Sequence, residues 1–189
     1  DQKGVEYTII DHQYDPNRNL PISLVECKDT GKRFYTLSVE GLEIGETIMC
    51  NEKCEIKDGN RMILSNVPVG SVVHAIEFSP GSGAKLIRSA GGYAEVLGGS
   101  KDNFYTLRLP SGEVRLFHKD CFVTLGILAN AEYKNINIGN AGRNRRLGRR
   151  QIVRGVVKNS CDHPLGGGEG KSKGGRSPVS PWNSSIDGK

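Results

Sequence analysis

The sequence predicts an all-β protein: two small strand-built units of barrel type, followed by an extended basic segment rich in glycine and arginine. Three observations carry that expectation. Short alternating or β-branched stretches recur between close turn signals as far as Phe117, and none sustains a helical period. Turn-forming residues punctuate the whole chain, with 25 Gly and 8 Pro in 189 residues. Charge is segregated: residues 140–189 hold 11 of the 26 Lys+Arg against 3 of the 21 Asp+Glu, a net +8, and residues 1–139 carry −3.

In chain order, Val5 to His12 is β-rich and Tyr14-Asp15-Pro16-Asn17 makes a turn. Ile22 to Cys27 alternates, Asp29-Thr30-Gly31-Lys32 is hairpin-like, and Arg33 to Val39 reads as the next strand. Glu46 to Glu55 and Arg61 to Leu64 follow, separated by the turn Lys57-Asp58-Gly59-Asn60. Many short strands with close turns predict a small closed barrel over residues 1–66. Asn66 to Gly70 reads as a linker. A second unit, residues 67–139, holds strands at Val72 to Phe78, Lys85 to Ser89, Tyr93 to Leu97, Phe104 to Leu109 and Glu113 to Phe117. Residues 140–189 have too few apolar side chains to close a core, so order there is expected to come from wrapping a polyanion.

Composition narrows the classes. Hydrophobic residues make up 36% and aromatics 6%, so the cores must rest on Val, Ile and Leu. No apolar run approaches the roughly 20 residues of a membrane span, and no apolar leader follows Asp1. Five cysteines at open spacing do not make a disulfide scaffold and fit a reducing or matrix-like compartment.

The motifs divide into those that carry chemistry and those that do not. Cys50 and Cys54 lack a second Cys/His pair at ligand spacing, and His118 near Cys121 does not complete a site, so no metal is expected. Gly168-Glu169-Gly170-Lys171-Ser172 ends like a phosphate-binding P-loop, but Leu165 stands where that motif needs glycine, and no strand–helix flanks exist. An enzyme using Cys161 and His163 would need a nucleophile–base contact that adjacency in sequence does not supply. No cofactor or small-molecule substrate is expected. By contrast, Arg143, Arg145, Arg146, Arg149, Arg150 and Arg154 place six guanidinium groups within 12 residues with no acid among them. Their planar forks hold phosphates bidentately, and Gly142, Gly148 and Gly155 let backbone approach closely. Gly166, Gly167 and Gly168 suit a chain threading between RNA strands, with Lys171, Lys173 and Arg176 beyond them. Trp182, the single tryptophan, fits either stacking on a base or anchoring on protein. His163 fits a contact to phosphate or base. His12, His74 and His118 read as structural.

These segments together resemble the universal large-subunit ribosomal protein family L-two. The resemblance rests on Tyr14-Asp15-Pro16-Asn17-Arg18, Val67-Pro68-Val69-Gly70-Ser71 with Val73-His74, and Leu86-Ile87-Arg88-Ser89-Ala90-Gly91. It continues through Thr106 to Glu113, Asn130-Ala131-Glu132 and Val153-Arg154-Gly155. It ends on Asp162-His163-Pro164-x-Gly166-Gly167-Gly168-Glu169-Gly170 and Pro178-x-x-Pro181-Trp182. The resemblance implies an OB-type barrel, an SH3-like barrel and a C-terminal segment entering ribosomal RNA. It implies RNA contacts at Arg18 and Arg88 and a place for His163 near the peptidyl transferase region. The implied role is structural, not enzymatic: binding large-subunit rRNA and neighbouring ribosomal proteins, supporting assembly of the catalytic centre, and joining the small subunit, with no membrane involved. A free RNA-processing or translation factor on the same barrels is the alternative.

Four features depart from the family pattern: Leu165 in place of a second histidine, Asn183 in place of glycine, a weakly basic end at Ile186-Asp187-Gly188-Lys189, and no basic extension before Asp1. With the five cysteines they lead to the expectation of a mitochondrial ribosome, with plastid or bacterial cytoplasm as alternatives.

Overall fold

A computed structural model of the chain describes residues 4–99, 103–170 and 175–186. The chain divides into two compact units, Asp1–Ile136 and Asn137–Lys189. The first holds β1 (Val5–Gln13), β2 (Ile22–Cys27), β3 (Arg33–Leu37), β4 (Thr47–Cys50), β5 (Arg61–Ile63) and β6 (Val72–His74). It continues with β7 (Ile76–Glu77), β8 (Ala84–Leu86), β9 (Ala94–Gly99), β10 (Phe104–Arg108), β11 (Val114–His118) and β12 (Phe122–Leu125). Ten of these form one ladder in the order β11-β10-β9-β6-β12-β5-β4-β1-β2-β3, and β7 pairs with β8 alone. Neighbours pair antiparallel except β4 with β5, which meet in parallel at Cys50 and Arg61.

Alternation places the side chains. β2 buries Ser23, Val25 and Cys27, and β4 buries Ile48 and Cys50, as a period of two demands. Two cores result. Ile9, Val25 and Ile48 form a small one, with Tyr7 and Leu42 against it. The larger holds eleven buried residues, Met62, Leu107, Phe117 and Val123 among them, so most apolar stabilisation lies in the second half of the unit. Met62 and Leu64 pack there, although the sequence places them in the first barrel; the change of core precedes Arg61. A register shift in β1 between Ile9 and Asp11 and another where β10 meets β9 are bulges, which add the twist and bend that small barrels need.

Several expected strands are shorter or broken. Val72 to Phe78 is interrupted at Ala75 (φ 49°) and Lys85 to Ser89 at Ile87 (φ 53°). Glu46 to Glu55 keeps strand form only over Thr47–Cys50; beyond it the Asn51 N–H still donates to the Arg61 carbonyl at 3.1 Å, and the Asn51 side-chain oxygen accepts the Glu52 N–H at 2.7 Å and turns the chain. β12, absent from the sequence expectation, lies mid-ladder between β5 and β6. Its run Phe122-Val123-Thr124-Leu125 does not alternate, as befits a short central strand.

His74 is fully buried, and its Nδ1–H donates to the Gly126 carbonyl at 2.8 Å. Burial pushes its pKa from 6.5 down to about 4, against the raising effect of that hydrogen bond. The unfolded chain therefore binds a proton that the fold refuses between these values. Stability is full above pH 6.5 and falls by up to about 3 kcal/mol as pH drops towards 4. Urea unfolding of the wild type against His74→Gln across that window should show this slope only in the wild type.

The tail expected over residues 140–189 falls within the second unit, Asn137–Lys189, whose described residues are held by turns. α1 (Ala141–Arg146) is capped by Asn140, whose side-chain oxygen accepts the Arg143 N–H at 2.8 Å. Gly148, at φ 81°, closes its C-terminus in the left-handed conformation. His163 and Val179 are the buried side chains among the described residues of this unit, so backbone bonds supply its order in place of a core.

Candidate nucleic-acid interface

Arg18 and Arg88, distant in sequence, line one cleft of about 760 Å³ in the first unit. Asp15 builds the first position: its Oδ1 accepts the Asn17 N–H at 2.9 Å and its Oδ2 the Arg18 Nε–H at 2.5 Å. Those bonds, the Asn17 amide foremost, hold the Asp15 carboxyl below its ordinary range. The result is an Asx turn that fixes the plane of the Arg18 guanidinium. Arg88 follows Ile87, a β-branched residue held at positive φ. Such strain is rare and ends β8 so that Arg88 leaves the sheet on a loop. The same cleft is lined by Lys32, Phe34 and Tyr35. Phe34 and Tyr35 lie on the edge strand β3, 44% and 60% exposed, and Phe34 meets Tyr7 edge-on. Basic residues beside exposed aromatics suit phosphates and stacked bases together. Lys32, Phe34 and Tyr35 have no role in the sequence reading, although Lys-Arg-Phe-Tyr running from a turn into a strand was a legible signal.

The second cluster lies on the smaller unit. Arg143, Arg145 and Arg146 occupy α1, Arg149, Arg150 and Arg154 follow it, and all six are exposed. Among the described residues, Arg143, Arg145, Arg146, Arg150 and Arg154 have no carboxylate partner. The three on α1 sit in its last turn, where cations complement the negative helix end.

The glycines expected to admit RNA also serve the chain itself. A Cβ on Gly155 would lie 2.3 to 2.6 Å from three atoms of the His163 ring, and one on Gly166 would lie 2.3 Å from the Asn159 carbonyl oxygen. Gly167 and Gly168 take φ of 84° and 96°, and the Gly167 N–H donates to the Lys158 carbonyl at 2.9 Å. His163 is 7% exposed, and its Nδ1 accepts the Leu165 N–H at 3.0 Å, so a neutral ring carries its proton on Nε2. Arg176 donates to the Pro164 carbonyl at 3.0 Å and braces the same loop. Trp182 is 85% exposed on a turn closed by the Ser180 N–H donating to the Ser184 carbonyl. Lys171 and Lys173 lie outside the described residues. Gly155→Ala should force the ring out of its seat and destabilise the loop by about 1–3 kcal/mol. Proteolysis within residues 155–168, with the first unit's melting unchanged, is the check.

Two small β cores, a cleft lined by basic and aromatic side chains, and a separate cluster of exposed arginines define an all-β protein with two basic surfaces. Comparison with known proteins makes the assignment particular. Residues 1–50 match the family described as Ribosomal Proteins L2, RNA binding N-terminal domain, and residues 57–183 match Ribosomal Proteins L2, C-terminal domain. The chain belongs to the ribosomal protein L2 family. It is 48% identical over 178 residues to the large ribosomal subunit protein uL2 of Rhodospirillum centenum (strain ATCC 51521 / SW), covering 94% of this chain and 64% of that protein. The chain thus spans less than two thirds of that relative's length. The OB-type barrel surrounds the Ile9–Val25–Ile48 core, and the SH3-like barrel surrounds Met62, Leu107 and Val123.

Proposed function

We propose that this chain is a structural constituent of the large ribosomal subunit that binds large-subunit rRNA and neighbouring ribosomal proteins. One observation carries the reading: six exposed arginines within 12 residues, on a unit with almost no apolar core. Such a surface gains most from phosphates that converge on it. Arg18 and Arg88 in the barrel cleft, with Lys171, Lys173, Arg176 and Trp182 beyond the arginine cluster, complete the proposed footprint.

Peptide-bond chemistry belongs to the RNA in this reading, and the protein is not an enzyme. His163 supports that view, because its Nδ1 is occupied by the Leu165 amide and its ring is packed under Gly155. Its role is to hold the Gly166–Gly168 loop in shape, which serves assembly of the peptidyl transferase centre and contact with the small subunit. The five cysteines carry no disulfide and fit a reducing interior. A mitochondrial ribosome is our reading of the compartment; the bacterial cytoplasm meets the same condition, and the relative named above is bacterial.

Sucrose-gradient sedimentation of the full chain at moderate salt, with RNA–protein crosslinking of the heavy fractions, tests this. Co-migration with large subunits, and crosslinks at Arg143 to Arg154, are expected. A chain found mainly in light fractions, exchanging freely with RNA, would instead be a soluble RNA-binding factor.

A further inference from the structure

The two arginine-bearing loops of the barrel cleft are tied to one short segment, Ile127 to Ala131. On one side it joins the chain that follows β3. The Glu40 N–H donates to the Ile127 carbonyl at 2.9 Å, Val39 bridges Leu128, and the Ala129 N–H donates to the Ser38 carbonyl at 3.0 Å. On the other side it joins the loop that carries Arg88. There the Gly91 N–H donates to the Ala129 carbonyl at 3.1 Å, and the Leu128 N–H to the Gly92 carbonyl at 3.3 Å. The approach is close, since a Cβ on Gly91 would lie 2.6 Å from the Ala131 Cα.

Asn130 completes the tie. It takes the left-handed conformation (φ 63°, ψ 41°) just before a 3₁₀ turn at Ala131–Asn135, where an asparagine side chain ordinarily caps the turn. It makes no such cap. Its Nδ2–H donates instead to the Asn19 carbonyl at 2.6 Å, one residue from Arg18. Asparagine is suited to both demands, tolerating positive φ and supplying a donor. A loop bonded at Asn19 and a loop bonded at Gly91 and Gly92 are thereby referred to the same few backbone atoms.

We infer that Asn130 is a positioning residue for the barrel cleft, setting the spacing between the Arg18 and Arg88 guanidinium groups. The inference rests on the reading above that this cleft takes rRNA phosphates. Phosphates along one strand have fixed spacing, so two arginines gain from both contacts only when their own separation is fixed beforehand.

Asn130→Gly separates the side chain from the backbone conformation, because glycine keeps the positive φ without strain while the amide and its donor are lost. In the full chain without RNA, the amide resonances of Asn17 to Asn19 and Arg88 to Gly91 should move, while those of Met62, Leu107 and Val123 stay. Affinity for a transcript of the large-subunit rRNA region crosslinked by the wild type should fall about tenfold, in proportion to one misplaced charge-assisted hydrogen bond. That loss should vanish when Arg18 and Arg88 are both already alanine. Resonance changes confined to Ala129 and Ala131, unchanged affinity, or an undiminished loss in the Arg18→Ala/Arg88→Ala background would each overturn the inference. A wild-type chain that does not hold the transcript would sink the rRNA reading instead, and the resonances of the free protein would still decide the tie.

Discussion

Replacing Glu77 with alanine is expected to lower the unfolding free energy of the barrel unit by about 3–5 kcal/mol. Glu77 is 3% exposed and is the meeting point of three segments. Its Oε1 accepts the Arg61 Nη2–H at 3.1 Å, tying β7 to β5. Its Oε2 accepts the Gly81 and Phe122 N–H groups, each at 3.1 Å, which holds the turn after β7 and the start of β12. Arg61 also lies over the Phe122 ring, 5.8 Å from its centroid. Removing the carboxylate takes one counter-charge from a largely buried guanidinium and the acceptor from two amides, so the desolvation penalties remain while that compensation goes. Against a typical total of about 5–15 kcal/mol, that is a large fraction. Glu77→Gln keeps the shape and an acceptor and should lose distinctly less. Denaturant unfolding measures both; a loss under about 1 kcal/mol for Glu77→Ala would show that the ion pair is replaceable by water.

Replacing Arg143, Arg145, Arg146, Arg149, Arg150 and Arg154 together with serine should weaken binding to the rRNA transcript on the order of a thousandfold at moderate salt. The clearer reading is the salt dependence. Each phosphate neutralised releases condensed counterions, and six contacts at roughly 0.7 per phosphate correspond to a slope lower by about 4 units. Arg18→Ala with Arg88→Ala should reduce the same slope by only about 1–2 units. These six side chains are exposed and build no core, so the barrels should melt unchanged. An unaltered slope would mean that the cluster does not meet phosphate, whatever the total affinity.

The strands that alternate were legible because burial there follows a local period. Ile22 to Cys27 is the clearest case, with every second side chain inside. The arginine cluster was equally legible, since charge density along a chain needs no fold to be counted. β12 was not, because a short apolar run is the same on paper whether it becomes a central strand or a loop. The breaks at Ala75 and Ile87 were hidden for a related reason: neither residue favours positive φ, and both are held there by their surroundings. For the site, the sequence singled out Arg18 and Arg88 separately and weakly. It did not join them, nor add Lys32, Phe34 and Tyr35.

His163 marks the same divide. Its motif identifies the family, yet only the folded loop places its ring against Gly155 and its Nδ1 on the Leu165 amide. Gly155 and Gly166, read as room for RNA, also make room for the chain's own ring and carbonyl.

The amino-acid sequence alone determined the all-β class, the separation of a basic end from a mildly acidic body, and membership of a ribosomal protein family. Each depends on residue type and order along the chain. Tertiary structure decided where the first core gives way to the second, that Glu77 is a buried hub, and that two arginines 70 positions apart share a cleft. These depend on which distant segments pair, and pairing is settled by the packing and hydrogen bonding of the whole unit, which no local window of residues contains.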